Sequence, residues 1–175
     1  VTGGSTQNKG VIPDIRLVDI YNEEFGERKA KNALKWDTIP TAPFKREGSV
    51  QPYLAKLNQT SGQRVATDPQ FKYLETRKTL AKKSADEKKV VLDIDQRRAE
   101  LVDLEKQTLD AENQRRAATG QPPYANWESY QASIDALVES RAKMKAHLRP
   151  PLPEEEAFIT EAANVLLDYA ALQSR

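Results

Sequence analysis

The chain has 175 residues, 38% of them hydrophobic and 30% charged, with 27 basic against 26 acidic side chains. That length suits one domain, or one domain plus a fragment, with a core that is thin for its size. Near-neutral charge argues against a dedicated nucleic-acid protein, the lack of cysteine rules out disulfides and thiolate metal sites, and no apolar run approaches the roughly 20 residues that span a bilayer.

Residues 1–20 read as extended structure. Gly3-Gly4 and Gly10 punctuate them, Pro13 blocks a helix, and Val11, Ile12, Ile15, Leu17, Val18 and Ile20 favour strand. So many apolar β-formers need a sheet to cover them, and the rest of the chain offers little sheet. The segment therefore looks like a strand belonging to a larger domain. An uncovered apolar strand edge tends to pair with another chain, so self-association through residues 1–20 is expected. Residues 21–48 are polar and broken by Gly26, Pro40, Pro43 and Gly48, as a surface connector would be.

From about residue 49 the periodicity becomes helical, and residues 49–175 read as a helical domain. Leu54, Leu57, Ser61 and Val65 share one face, although Gly62 costs about 1 kcal/mol relative to Ala. Asp68 is placed to cap the next helix, with Pro69 at its first position, and Phe71, Leu74 and Ala81 recur on one side. Ser84-Ala85-Asp86 weakens that pattern. Val90, Val91, Leu92 and Ile94 form either a short strand or part of a long helix running to Thr119, and their β-branching favours a break.

Beyond the break, Ile94, Leu101, Leu104, Thr108 and Ala111 keep a 3-4 spacing, and Gly120 followed by Pro122-Pro123 ends the helix. Asn126 caps the next one. Its stripe runs through Trp127, Tyr130, Ile134, Leu137, Met144 and Leu148, with Arg141 as a polar intruder, until Pro150, Pro151 and Pro153 stop it. The last helix opens on Glu154-Glu155-Glu156 at its positive end and shows an apolar face of Phe158, Ala162, Val165, Leu166, Tyr169 and Leu172. The predicted fold is mainly α: a bundle-like domain of four to five helices behind a short extended segment.

Chemistry-bearing patterns are sparse. His147 is the only histidine, and it reads as a complement to a negative helix end rather than a metal ligand. Glu154-Glu155-Glu156 reads as a solvated helix start rather than a Ca²⁺ site. Gly3-Gly4-Ser5-Thr6 lacks the Gly-Lys-Ser/Thr ending of a phosphate loop and reads as a turn. Lys72, Arg77, Lys78, Lys82, Lys83, Lys88 and Lys89 concentrate positive charge, but Glu75, Asp86 and Glu87 dilute it and no aromatics interleave. A solvated face is the better reading, and no nucleic acid is expected. The Trp127/Tyr130 face is either core or an offered surface, with core favoured. No metal, cofactor or catalytic residue is expected in the chain.

Three ordered blocks carry a family resemblance. Ser5-Thr6-Gln7-Asn8-Lys9-Gly10-Val11-Ile12-Pro13-Asp14-Ile15 closely resembles the last segment of the catalytic domain of tail-specific (carboxy-terminal processing) proteases. Asn32-Ala33-Leu34-Lys35-Trp36-Asp37-Thr38-Ile39 follows at that family's spacing, and Asp68-Pro69-Gln70-Phe71 opens a helix where the family has one. After about residue 75 the likeness is one of layout and charge. The resemblance implies that residues 1–20 are a terminal strand of the protease core, 21–48 a connector and 49–175 a C-terminal helical domain.

The resemblance also implies an enzyme of the Ser/Lys-dyad type as parent, a serine endopeptidase of the bacterial periplasm whose signal peptide lies upstream. Neither the Ser/Ala-rich turn of its nucleophile nor the Gly-rich segment of its lysine base occurs here, so this segment alone is expected to be inactive. Implied packing residues are Gly10, Pro13, Asp14 and Trp36, beside Asp68 and Trp127 from the helical reading. Implied partners are the upstream protease and PDZ domains, protein substrates with apolar C-termini, and a lipoprotein adaptor.

Overall fold

Capping and helix-breaking residues set the boundaries of five α-helices. The computed structural model describes residues 3–6, 10–18, 29–35, 37–45 and 48–174. Within them run α1 (Leu54–Thr67), α2 (Pro69–Asp86), α3 (Ile94–Ala118), α4 (Trp127–Ala142) and α5 (Pro153–Gln173), with short 3₁₀ turns at Gln51–Tyr53 and Ala146–Leu148. The mainly helical fold expected from periodicity is the one formed.

Asp68 Oδ1 accepts the Gln70 and Phe71 amides at 2.7 and 3.2 Å and Pro69 opens α2, so α1 and α2 meet at a sharp corner. Asp93 does the same for Asp95 and Gln96 at the start of α3. Asn126 and Ser129 form a reciprocal capping box on α4. Gly120, at φ +72°, ends α3: its amide donates to Ala117 and the Gln121 amide to Arg116 O at 2.8 Å, the paired bonds of a left-handed helix terminus.

The helices assemble around α2. It packs most extensively along α3 and also touches α1 and α5, while α1 lies against α5 and α4 leans on α3. Val18, Phe71, Tyr73, Leu74, Ala111 and Ala157 form the core, flanked by Leu17, Val65 and Phe158. Leu57 and Leu74 are each 1% exposed. Phe71 meets Phe158 edge-on at 5.7 Å, and Tyr53 meets Tyr169 at 5.6 Å, fastening both ends of α5.

Several sequence expectations are corrected. Among the described residues, 1–20 form no strand. A lone antiparallel bridge joins Gly4 to Thr38, with Ile39 N donating to Gly3 O at 2.9 Å. A ladder needs a second run of extended backbone, and instead Leu17 and Val18 are covered by the helical core while Val11 and Ile12 stay exposed. Ile20 lies outside the described residues. Residues 87–93 are neither strand nor helix, so the break is real, and Glu87 and Asp93 at its ends have extended backbones.

Three apolar stripes also differ. The first half of α3 leaves the core, so Ile94, Leu101 and Leu104 are exposed and only the stretch around Ala111 is buried. Helix α4 stops at Ala142, leaving Met144 and Leu148 exposed and His147 in a 3₁₀ turn rather than in the last turn of an α-helix. Helix α5 covers only part of its expected face: Phe158, Val165, Tyr169 and Leu172 turn inward with Ala157, Glu161 and Asp168, while Ala162 and Leu166 face solvent. Charged groups take that face because α1 offers them an arginine.

Candidate functional site

The polar groups of this domain are concentrated where helices meet. Arg64, in the last turn of α1, sends Nε to Glu161 Oε1 and Oε2 at 3.2 and 3.0 Å and Nη2 to Oε1 at 2.8 Å. Its Nη1 donates to Asp168 Oδ2 at 2.8 Å, an oxygen that also accepts from the Thr60 hydroxyl at 3.2 Å. Glu161 and Asp168 lie seven residues apart, so two turns of α5 put both on one face. The two carboxylates, Glu161 first, hold the Arg64 proton more firmly than usual.

Burial alone would raise the Glu161 carboxyl, but the hydrogen bonds from Arg64 outweigh it and hold the group below the usual carboxylate range. Ser61 Oγ is fully buried and has no hydrogen-bond partner among the described residues. Asp168 is lowered chiefly by its bond from Arg64. Beside this cluster, at the α1–α2 corner, opens a groove of about 610 Å³ lined by Thr67, Gln70, Glu156, Thr160 and Asn164 with Arg64.

A second cluster ties α2, α3 and α4. Arg115 grips Glu112 through two bonds, Nε–Oε2 at 2.8 Å and Nη2–Oε1 at 2.5 Å, with both side chains 6% exposed. Its Nη1 reaches Gln70 on α2 at 3.1 Å, and its guanidinium lies 5.5 Å from the Tyr73 ring. Arg77 donates to the Tyr73 hydroxyl at 3.0 Å. Burial and the nearby Tyr73 push the Tyr130 phenol up, so it stays neutral in the physiological range. The α3–α4 loop is clasped by Asn113, which exchanges two bonds with the Tyr124 backbone, and by Arg116, which lies 4.1 Å over the Tyr124 ring.

Of the six residues singled out by sequence, the five that the structure describes are not gathered into one site. Gly10 is exposed, its amide donating to Thr6 O at 2.7 Å, and Pro13 and Asp14 are exposed beside it. Trp36 lies outside the described residues. Asp68 caps α2, and Trp127 opens α4 half-buried against Tyr130, ring centres 5.2 Å apart. Sequence reasoning missed Arg64, Glu112, Arg115, Glu161 and Asp168. A usable signal was present in the Glu161–Asp168 spacing, two carboxylates sharing the phase of Phe158, Val165 and Leu172.

The arrangement suits holding helices in register more than transforming a substrate. Ser133 donates to the Tyr124 hydroxyl and Ser129 and Ser140 to backbone oxygens, none of them to a lysine. Among the described residues no group of three or more acidic or imidazole side chains could hold a metal ion, and no helix is long and apolar enough to cross a membrane. Arg77 of the basic run turns inward to Tyr73, while the lysines of that run stay exposed.

The class so defined is a mainly α domain in which Arg64 ties α1 to Glu161 and Asp168 of α5 through ion pairs. A family model described as the C-terminal domain of tail specific protease matches residues 20–171, and the chain belongs to that family. The tail-specific protease of Haemophilus influenzae is 38% identical to it over 105 residues, 57% of this chain. The match spans only 15% of that relative's length.

Proposed function

We propose that this chain is the non-catalytic C-terminal part of a periplasmic tail-specific serine protease. In that enzyme its helices brace the protease core and shape the access of substrates held by apolar C-termini. The observation that carries the reading is the family match over residues 20–171 of a chain whose polar clusters join helix to helix. Support for a lack of catalytic function in this segment comes from Ser129, Ser133 and Ser140, whose hydroxyls serve a cap, backbone oxygens and Tyr124. The test compares the parent protease with and without residues 46–175 on two substrates, one with an apolar C-terminal tail and one unfolded without it. Loss of tail preference with cleavage retained marks gating, loss of both marks bracing, and unchanged cleavage refutes the reading.

A second reading, a module that recruits a lipoprotein adaptor, is favoured by one feature of α5. Its exposed positions from Ile159 to Ala171 carry no charge, and Leu166 and Leu167 there are 66% and 68% exposed. In the parent, Leu166→Ser with Leu167→Ser separates the two. Loss of adaptor binding with peptide cleavage intact supports recruitment, and loss of cleavage itself supports bracing.

A further inference from the structure

The α2–α3 turn has the properties of a β-strand without a neighbour. Glu87 and Asp93, which bound it, have extended backbones at ψ 92° and 120°. Val90 and Val91 are β-branched, which favours that conformation. No backbone hydrogen bond engages residues 88–92. Val90 is 62% exposed, Val91 37% and Leu92 98%, so the turn projects apolar side chains from the end of a two-helix arm. Beside it lies a groove of about 250 Å³ whose apolar walls are Leu80, Val90, Leu101 and Leu104.

We propose that residues 89–93 pair antiparallel with the same residues of a second copy of this chain, about a twofold axis at Val91. Cross-strand neighbours must share a face, which restricts a symmetric pairing to registers centred on a residue. Centring on Val90 sets Glu87 against Asp93, two like charges. Centring on Leu92 sets Asp93 against Val91 and runs the pairing into α3. Centring on Val91 sets Lys89 against Asp93 twice, Val90 against Leu92 twice, and Val91 against itself. Asp93 can serve both roles, because its two capping bonds fall on Oδ1 and leave Oδ2 for a lysine.

The apolar face of that pair completes the fit. Val90 belongs to the groove wall, and Leu92 of the second copy falls directly opposite Val90. An almost fully exposed leucine therefore finds a cleft lined by Leu80, Leu101 and Leu104. Knob and hole sit on the same patch, as an isologous interface requires. A net charge of +1 adds little repulsion between copies. Two five-residue strands bury a small area, so the association is weak and best read by covalent trapping.

The chain has no cysteine, so single thiols report position cleanly. Directly opposed residues lie within disulfide reach, whereas a diagonal pair two positions off, at roughly 7–8 Å, does not. In the 175-residue chain, Val91→Cys is expected to form disulfide dimers at least tenfold faster than Leu92→Cys, although Leu92 is the more exposed residue. Adding Lys89→Glu to Val91→Cys is expected to slow trapping to the Leu92→Cys rate. Circular dichroism matching the unsubstituted chain shows that each variant is folded. Trapping of Leu92→Cys as fast as Val91→Cys overturns the register, as does indifference to Lys89→Glu. A Val91→Cys chain that stays monomeric, or that is trapped only onto another protein's sheet edge, overturns the pairing altogether.

Discussion

Arg64 in α1 holds Glu161 in α5 through three hydrogen bonds between 2.8 and 3.2 Å, joining helices almost one hundred residues apart in sequence. The carboxylate is 5% exposed and the arginine 34%, so the acid is the member that has given up water. Its charge is tolerated in that position only while the guanidinium stays in place.

Removing the arginine is therefore more damaging than removing the pair. Arg64→Ala is expected to cost about 2 kcal/mol of folding stability, since it leaves a buried carboxylate short of a charged partner. Arg64→Met combined with Glu161→Leu is expected to recover most of that loss. Urea unfolding followed by circular dichroism checks both, and additive single-site costs would show that the two residues do not interact.

The same cluster sets an acid limit. Glu161 and Asp168 titrate below their unfolded values, so the stability they contribute is present above those values and lost as pH falls through the folded ones. With unfolded carboxyls near pH ~4, stability is expected to fall progressively below about pH 5. Arg64→Ala is expected to flatten that decline. Melting temperatures taken from pH 7 down to pH 3 provide the comparison, and parallel curves for both proteins would refute the assignment.

Helix ends offer smaller effects that add. Asp68→Ala and Asn126→Ala each remove a side-chain acceptor from a helix start, at an expected ~1 kcal/mol apiece. For a chain of this size that lowers the melting temperature by about 2–4 °C each. The sites are on different helices, so the double variant is expected to show the sum.

Core and surface leucines are expected to behave in opposite ways. Leu57→Ala and Leu74→Ala empty sites that are 1% exposed, at about 2–5 kcal/mol each. Leu166→Ala and Leu167→Ala, on the outer face of α5, are expected to stay within about 0.5 kcal/mol. Thermal unfolding of the four single variants separates these groups, and a large loss at Leu166 would mean that the face is already covered.

Local signals made much of this molecule legible in advance. Asp68-Pro69, Gly120 with its prolines, and Asn126 mark helix ends because each satisfies or terminates backbone hydrogen bonding within a few residues. The mainly helical fold and the family followed from such marks and from three ordered blocks near the start. The exposure of Ala162 and Leu166 on α5 was not legible from its apolar stripe alone. Its periodic apolar residues predicted one wide buried face, and the part of it that is covered is the part that shares a side with the carboxylates reaching Arg64. Nor was the exposure of Ile94, Leu101 and Leu104, since a stripe shows which residues could be buried and not whether a neighbour arrives to bury them.

The division has one physical cause. Helix starts, the stop at Gly120 and the break at residues 87–93 depend on contacts between residues close in sequence, and the sequence by itself determined them. Which charges are buried, which stripes meet and which stay bare depend on partners up to one hundred residues away. Only the tertiary structure decided those, because a buried charge is allowed or forbidden by the group that packing brings opposite to it.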